Sequence, residues 1–142
     1  MHDAFTGEGA RLYGGRWNPP GVAIVYTAGS RALAALELLV HLDSPQLLRS
    51  FVLCQVTFED GLVLDLEPAG IPPDWRLDPP PRSAQEIGGR WAARSTSAVL
   101  RVPSAVLPEE HNYLLNPNHL DFNKIRIDAP VPFSFDPRLN RR

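Results

Sequence analysis

Val22-Ala23-Ile24-Val25-Tyr26-Thr27-Ala28-Gly29-Ser30, running directly into Arg31-Ala32-Leu33-Ala34-Ala35-Leu36-Glu37-Leu38-Leu39-Val40-His41-Leu42, decides how this chain folds. The first part is β-branched and bounded by Pro-Pro-Gly and Ala-Gly-Ser, the pattern of a buried strand over 22–27. Ser30 is placed to cap a helix over 31–42, which Asp43-Ser44-Pro45 would stop. Only Arg31, Glu37 and His41 interrupt the apolar residues, so the helix is expected to be largely enclosed by sheet. A carboxylate in such a helix loses hydration at a cost of several kcal/mol unless a cation or hydrogen-bond donors receive it. Glu37 is therefore the most informative residue. An arginine, an i,i+4 contact with His41 and a functional site would each satisfy it, and the helix alone does not choose.

Working outward, residues 6–15, Thr-Gly-Glu-Gly-Ala-Arg-Leu-Tyr-Gly-Gly, read as an irregular glycine-rich loop. It leads into Gly14-Gly15-Arg16-Trp17-Asn18-Pro19, where a guanidinium sits beside a tryptophan face. That pairing suits a phosphate or carboxylate clamp, but taken in isolation it favours a surface arginine packed on an aromatic. Tyr26 by itself reads as a core tyrosine whose hydroxyl finds a partner. Beyond the helix, 51–58 and 62–66 read as consecutive strands of a hairpin turning at Glu59-Asp60-Gly61. The proline cluster over 68–81 forbids regular structure and is expected to wrap the surface, anchored by Trp75. Residues 83–94 suggest a second helix with a Ser83/Glu86 capping box. A strand follows over 98–102, and Ser104 reads as a turn residue bonding its own backbone. Residues 108–117, with Glu109, Glu110, His111 and Asn112, read as a polar loop. Strands over 125–127 and 131–135 precede a fraying basic tail at 138–142. This mixed order predicts an α+β fold with a bent or split mixed sheet, in one domain spanning 1–142.

The 142 residues carry 14 basic and 16 acidic side chains, a net charge of −2, which speaks against a broad nucleic-acid surface. Fifteen prolines speak against a helical bundle. No apolar stretch approaches the ~20 residues that cross a bilayer. The beginning Met1-His2-Asp3-Ala4-Phe5 lacks signal-peptide character, so the cytosol is the expected compartment. Cys54 is the single cysteine, which excludes an intrachain disulfide, and its apolar neighbours suggest a small buried hydrophobe. The four histidines lack metal-ligand spacing, and no metal is expected. Leu12 stands where a dinucleotide fingerprint needs its third glycine, and the Walker lysine is absent.

In order, Gly9-Ala10, Gly14-Gly15-Arg16-Trp17-Asn18-Pro19-Pro20-Gly21, Val25-Tyr26-Thr27-Ala28 and Ala34-Ala35-Leu36-Glu37 strongly resemble the RES domain family. So do Leu100-Arg101-Val102-Pro103-Ser104-Ala105-Val106, Asn112-Tyr113-Leu114-Leu115-Asn116-Pro117 and His119. The resemblance spans nearly the whole chain. It implies a bacterial toxin of a type II toxin–antitoxin pair, a fold similar to ADP-ribosyltransferase toxins, and NAD as substrate. Family members deplete NAD by hydrolysis or phosphorolysis, and some modify a protein. The family is named for an arginine, a glutamate and a serine, which fall here on Arg16, Glu37 and Ser104, with its tyrosine on Tyr26. Gly15 and Asn112 join Arg16 and Tyr26 in the implied NAD site. The resemblance further implies an Xre-like DNA-binding antitoxin and homodimers. A degenerate module that only binds its antitoxin is the noncatalytic alternative. The resemblance also implies a further strand ahead of the Gly-Ala segment, as is usual in the family; that strand is expected to be missing here, through a truncated start or through replacement by another segment.

Overall fold

A computed structural model describes residues 3–42 and 51–140. Strands β1 (Val25–Ala28), β4 (Val63–Asp65), β5 (Val99–Pro103) and β6 (His111–Leu115) form one mixed sheet in the order β1-β6-β5-β4. The β4–β5 pair is parallel and the other two pairs are antiparallel. Both faces are covered, which explains why Val99, Leu100, Val102, Leu114 and Leu115 are all at most 2% exposed. Leu100, Val102 and Leu114 face a cluster containing Trp17 and Trp91, whereas Val99 and Leu115 face Val25 and Ile125. The α+β expectation with a split sheet agrees with this architecture.

The expected hairpin is not part of it. Residues 51–58 and 62–66 do not form a hairpin. Instead β2 (Phe51–Leu53) pairs with β8 (Val131–Phe133), and β3 (Val56–Thr57) pairs with β7 (Arg126–Ile127), both antiparallel. Leu53 lies opposite Val131 and Val56 opposite Ile127, so two residues on one side face three on the other. This is a bulge in one interrupted ribbon, bridged by the Asp128 amide donating to the Gln55 carbonyl at 2.9 Å. The Asp60–Leu62 segment is a 3-10 turn that sends β4 to the other sheet. Local turn chemistry had pointed to a hairpin, but burial of Val63 and Leu62 against Val99 and Ile125 decided the pairing.

Four other expectations are corrected. Residues 6–15 are not an open loop: Gly7, at φ 73°, and Gly14, at φ 77°, flank a short helix α1 (Glu8–Tyr13). The strand predicted over 22–27 begins only at Val25, because the Asn18 side chain binds the Val22 carbonyl. The predicted loop over 108–117 contains β6, the strand between β1 and β5. Its polar residues obscured an alternation that sends Asn112 and Leu114 to one face and Tyr113 and Leu115 to the other. The Ser83/Glu86 capping box does not form on α3 (Arg82–Arg94). Pro81 precedes that helix, Ser83 donates to Asp74, and Glu86 pairs with Arg82 and Arg90.

Helix α2 (Arg31–His41) starts as predicted, with Ser30 Oγ accepting from the Leu33 amide at 3.1 Å. The expected enclosure fails. Leu33 is buried, but Leu36 and Val40 are 40% and 59% exposed, because α2 packs chiefly against β1 at the edge of the sheet. The Asp43-Ser44-Pro45 stop and the end of the basic tail lie outside the described residues, and residues Pro137–Asn140 form a 3-10 turn. The proline-rich strap over 68–81 is anchored as expected, with Trp75 stacked on Trp17 at 5.7 Å.

Trp17 is held on its other side by α3. A Cβ on Gly88 would overlap the Trp17 carbonyl, whereas Gly9 on α1 has nothing within 4 Å of that position. Gly88→Ala is expected to destabilise the fold by about 3 kcal/mol or more, and Gly9→Ala to be neutral or stabilising by up to about 1 kcal/mol, in denaturant unfolding.

Candidate functional site

A cleft of about 1250 Å³ opens between α2, the β1 edge and the strap. Gly15, Arg16, Tyr26, Glu37 and Asn112 line it, and Ser104 lies directly behind Glu37 with no exposure. The residues selected from the sequence thus come together around one cavity.

Glu37 occupies the face of α2 that meets the sheet. Ser104 Oγ donates to one carboxylate oxygen at 2.8 Å, and Asn112 Nδ2 donates to the other at 2.9 Å. The β5–β6 register sets these donors side by side, since Val102 faces Asn112 and Pro103 faces His111. Ser104 Oγ also accepts from the Val106 and Leu107 amides, so its turn-forming role and its contact with Glu37 coexist. Asn112 Nδ2 also donates to the Thr27 carbonyl at 3.2 Å, which ties the carboxylate to β1. Among the described residues Glu37 forms no salt bridge, and the arginine and His41 alternatives do not occur. The carboxylate is fixed by neutral donors and keeps its charge uncompensated.

Arg16 is positioned from both flanks. Its Nη1 donates to the Trp75 and Leu77 carbonyls of the strap, each at 2.8 Å. Burial lowers its pKa from the ordinary value, while the Asp78 carboxylate acts the other way. The neighbouring Trp17 is 1% exposed and stacks on Trp75, so it offers no free face to a ligand, contrary to expectation. Burial of that indole contributes about 2–3 kcal/mol to the stability of the fold that carries Arg16.

Tyr26 is 37% exposed, but its hydroxyl is committed. It donates to Asn18 Oδ1 at 2.6 Å and accepts from the Trp17 amide at 3.0 Å. Asn18 is fully buried and donates to the Ala10, Pro19 and Val22 carbonyls. Sequence reasoning gave Asn18 no role; an asparagine between tryptophan and two prolines, where backbone donors are scarce, was the available signal. Gly15 is required by the same network, because a Cβ there would come within 2.6 Å of the Tyr26 hydroxyl. Gln85 on α3 donates to the Gly15 carbonyl at 3.0 Å, a second contact the sequence reading missed. Cys54 is half-buried at the cleft wall rather than a core residue, because the ribbon is interrupted at that point. Among the described residues no group of three or more His, Cys, Asp or Glu is arranged to hold a metal ion, and no helix is long and apolar enough to cross a membrane.

With this fold and this cleft geometry, the chain can be set beside known proteins. The RES domain family profile matches residues 1–136, and the chain belongs to that family, with its ADP-ribosyltransferase-like fold. A protein named Toxin Res from Yersinia enterocolitica is 44% identical over 140 residues, spanning 98% of this chain and 92% of the relative. The Prs ADP-ribosylating toxin of Sphingobium sp. (strain YBL2) is 41% identical over 143 residues, spanning 99% and 89%. In structure, a chain of the M. tuberculosis MbcT–MbcA toxin–antitoxin complex superposes with a TM-score of 0.69 at 24% identity, covering 99% of this chain and 81% of that one. Toxin is the class this chain shares with its relatives.

Burial pushes the Tyr26 hydroxyl well above the ordinary phenol value, against the lowering effects of the Trp17 amide and the Arg16 charge. An unfolded tyrosine ionises near pH 10, so the stability from this buried neutral phenol is complete below about pH 10 and declines above it. Tyr26→Phe is expected to cost about 1–3 kcal/mol at neutral pH by leaving Asn18 Oδ1 and the Trp17 amide unpaired. Urea unfolding at several pH values should show that difference narrowing as the pH rises beyond 10.

Proposed function

We propose that this chain is the toxin of a toxin–antitoxin pair, one RES domain over 1–142, and that it cleaves the bond between nicotinamide and ribose in NAD. One observation carries the reading: a carboxylate held by Ser104 and Asn112, without a cationic partner among the described residues, shares a cleft with Arg16. The cleft volume of about 1250 Å³ exceeds the ~300–1000 Å³ of drug-sized pockets and suits a dinucleotide.

When the C1′–N bond breaks, its electron pair leaves with nicotinamide, which changes from a cationic to a neutral ring. No acid is needed to protonate the leaving group. Positive charge grows on the ribose instead, and a preorganised, uncompensated carboxylate stabilises it. Glu37 has that role, with Ser104 and Asn112 positioning it. The acceptor oxygen, from water or phosphate, then bonds to C1′ and releases its proton to solvent. Arg16 gives Nη1 to the strap, which leaves the Nε and Nη2 edge of its fork for the pyrophosphate. Because the Tyr26 hydroxyl is occupied, that residue contributes its ring, packed against ribose or nicotinamide. Gly15 lets the backbone approach the ligand.

The 41% identity to a protein named an ADP-ribosylating toxin favours a second reading, in which a protein side chain is the acceptor. An antitoxin, expected to be Xre-like, would occupy the cleft of the resting toxin in the cytosol; an antitoxin partner is supported by the structural neighbour, which comes from a toxin–antitoxin complex.

The test is incubation of antitoxin-free protein with NAD, with and without phosphate, following nicotinamide release. Release in either condition supports glycosidic cleavage, label transferred from NAD to a macromolecule supports the second reading, and no release at all supports a noncatalytic module. Glu37→Gln keeps the side-chain shape and one of the two acceptor oxygens, so it should leave the fold intact while lowering turnover at least about a hundredfold. An unchanged rate would make Glu37 structural.

A further inference from the structure

The strap carries a second guanidinium into the same cleft. The two carbonyls that receive Arg16 Nη1 belong to Trp75 and Leu77, and the residue between them is Arg76, which also lines the cleft. Arg76 Nε donates to the Ala105 carbonyl at 3.0 Å, one residue beyond Ser104. Arg16 therefore fixes the backbone that presents Arg76, and Arg76 is in turn fixed to the loop behind Glu37. Both bonds end on neutral carbonyls, which orient a guanidinium without cancelling its charge.

The pairing of other arginines sharpens this observation. Arg11, Arg82, Arg90, Arg101, Arg126 and Arg138 each hold a carboxylate in a salt bridge. Arg16 and Arg76 hold none among the described residues, although they are close enough for the charge of one to disfavour that of the other. Asp78, also on the cleft wall, acts on Arg16 in the opposite sense and outweighs the Arg76 repulsion, without forming a salt bridge to either arginine. Arg31 lines the cleft as well, but it is bound to Gln55 on the ribbon. Two mutually repelling cations, held by neutral groups at a cavity wall, fit a ligand with two adjacent anionic groups.

We propose that Arg76 is a second phosphate-holding residue, forming with Arg16 a two-guanidinium clamp for the diphosphate bridge of a dinucleotide. The inference rests on the dinucleotide reading of the cleft and deepens it. It assigns the strap a binding function in addition to its packing on Trp17. The clamp fixes the diphosphate while Glu37 acts on the distant ribose, so Arg76 governs substrate binding more than the chemical step.

Calorimetric titration of the full chain, free of antitoxin, with ADP-ribose and with adenosine tests this. Arg76→Met keeps the side-chain stem and removes the charge, and Arg76→Lys restores the charge without the fork. Arg76→Met is expected to weaken ADP-ribose binding about tenfold or more, leave adenosine binding unchanged, and raise KM for NAD with kcat within about twofold. Arg76→Lys should recover part of the loss. Equal ADP-ribose affinity for the wild type and Arg76→Met would overturn the clamp. So would parallel losses for ADP-ribose and adenosine, which would mark Arg76 as a tie between strap and loop. Failure of the wild type to bind either ADP-ribose or NAD would instead overturn the dinucleotide reading, and the clamp with it.

Discussion

The Glu37 carboxylate can lie among the leucines of α2 only because Ser104 and Asn112 reach it from the sheet. A half-buried carboxylate without donors would be costly, and one paired with arginine would have its charge spent within the protein. Neutral donors resolve both problems. They replace lost hydration and leave the charge available to whatever develops positive character in the cleft. Much of the fold serves this arrangement. The order β1-β6-β5 brings Asn112 between Thr27 and Ser104, and the Ser104 amide closes the β5–β6 connection by donating to the Glu110 carbonyl at 2.9 Å. The exposed outer side of α2 follows from the same geometry. The helix has to lie along the sheet edge to deliver Glu37, and it cannot also be enclosed.

Local sequence chemistry made some elements legible and concealed others. Ser30 and the apolar run behind it marked the start of α2, because a cap and its helix are contiguous in the chain. The partners of β2, β3 and β4 were not legible, because pairing is decided by burial between segments far apart in sequence. β6 was concealed by its own polar residues, one of which is held by a tertiary contact: Asn112 is both an interior β residue and the donor to Glu37. A residue that satisfies a site at the expense of local pattern misleads a reading based on pattern. Likewise, the glycines of 6–15 suggested an open loop, whereas two of them mark the ends of a helix.

The candidate site was more legible than the topology, and the reason is chemical. A lone carboxylate in an apolar helix demands an explanation wherever the helix sits, so Glu37 could be singled out before its partners were known. Arg16 drew attention through its glycine and tryptophan neighbours, though the tryptophan serves the core rather than a ligand. Arg76 and Asn18 escaped notice because nothing adjacent to them in sequence signals their partners, the Ala105 carbonyl and the Tyr26 hydroxyl.

Site and core share a single turn of backbone. Arg16 faces the cleft, while Trp17 and Asn18 on its C-terminal side are sealed at 1% and 0% exposure. Trp17 is gripped between Trp75 of the strap and the bare backbone of Gly88, and Asn18 is saturated by three carbonyls and a phenol. Arg16 in turn binds the strap that supplies Trp75. The loop is thereby closed on itself: the indole stack positions the guanidinium, and the guanidinium fixes the segment that provides the stack. Displacing either partner would release the other. A long, flexible arginine side chain loses most of its rotameric freedom before any ligand arrives, and that ordering cost is met by packing rather than by binding. The placement of the Arg16 side chain on the cleft wall that also holds Glu37 therefore leans on the tryptophan pair.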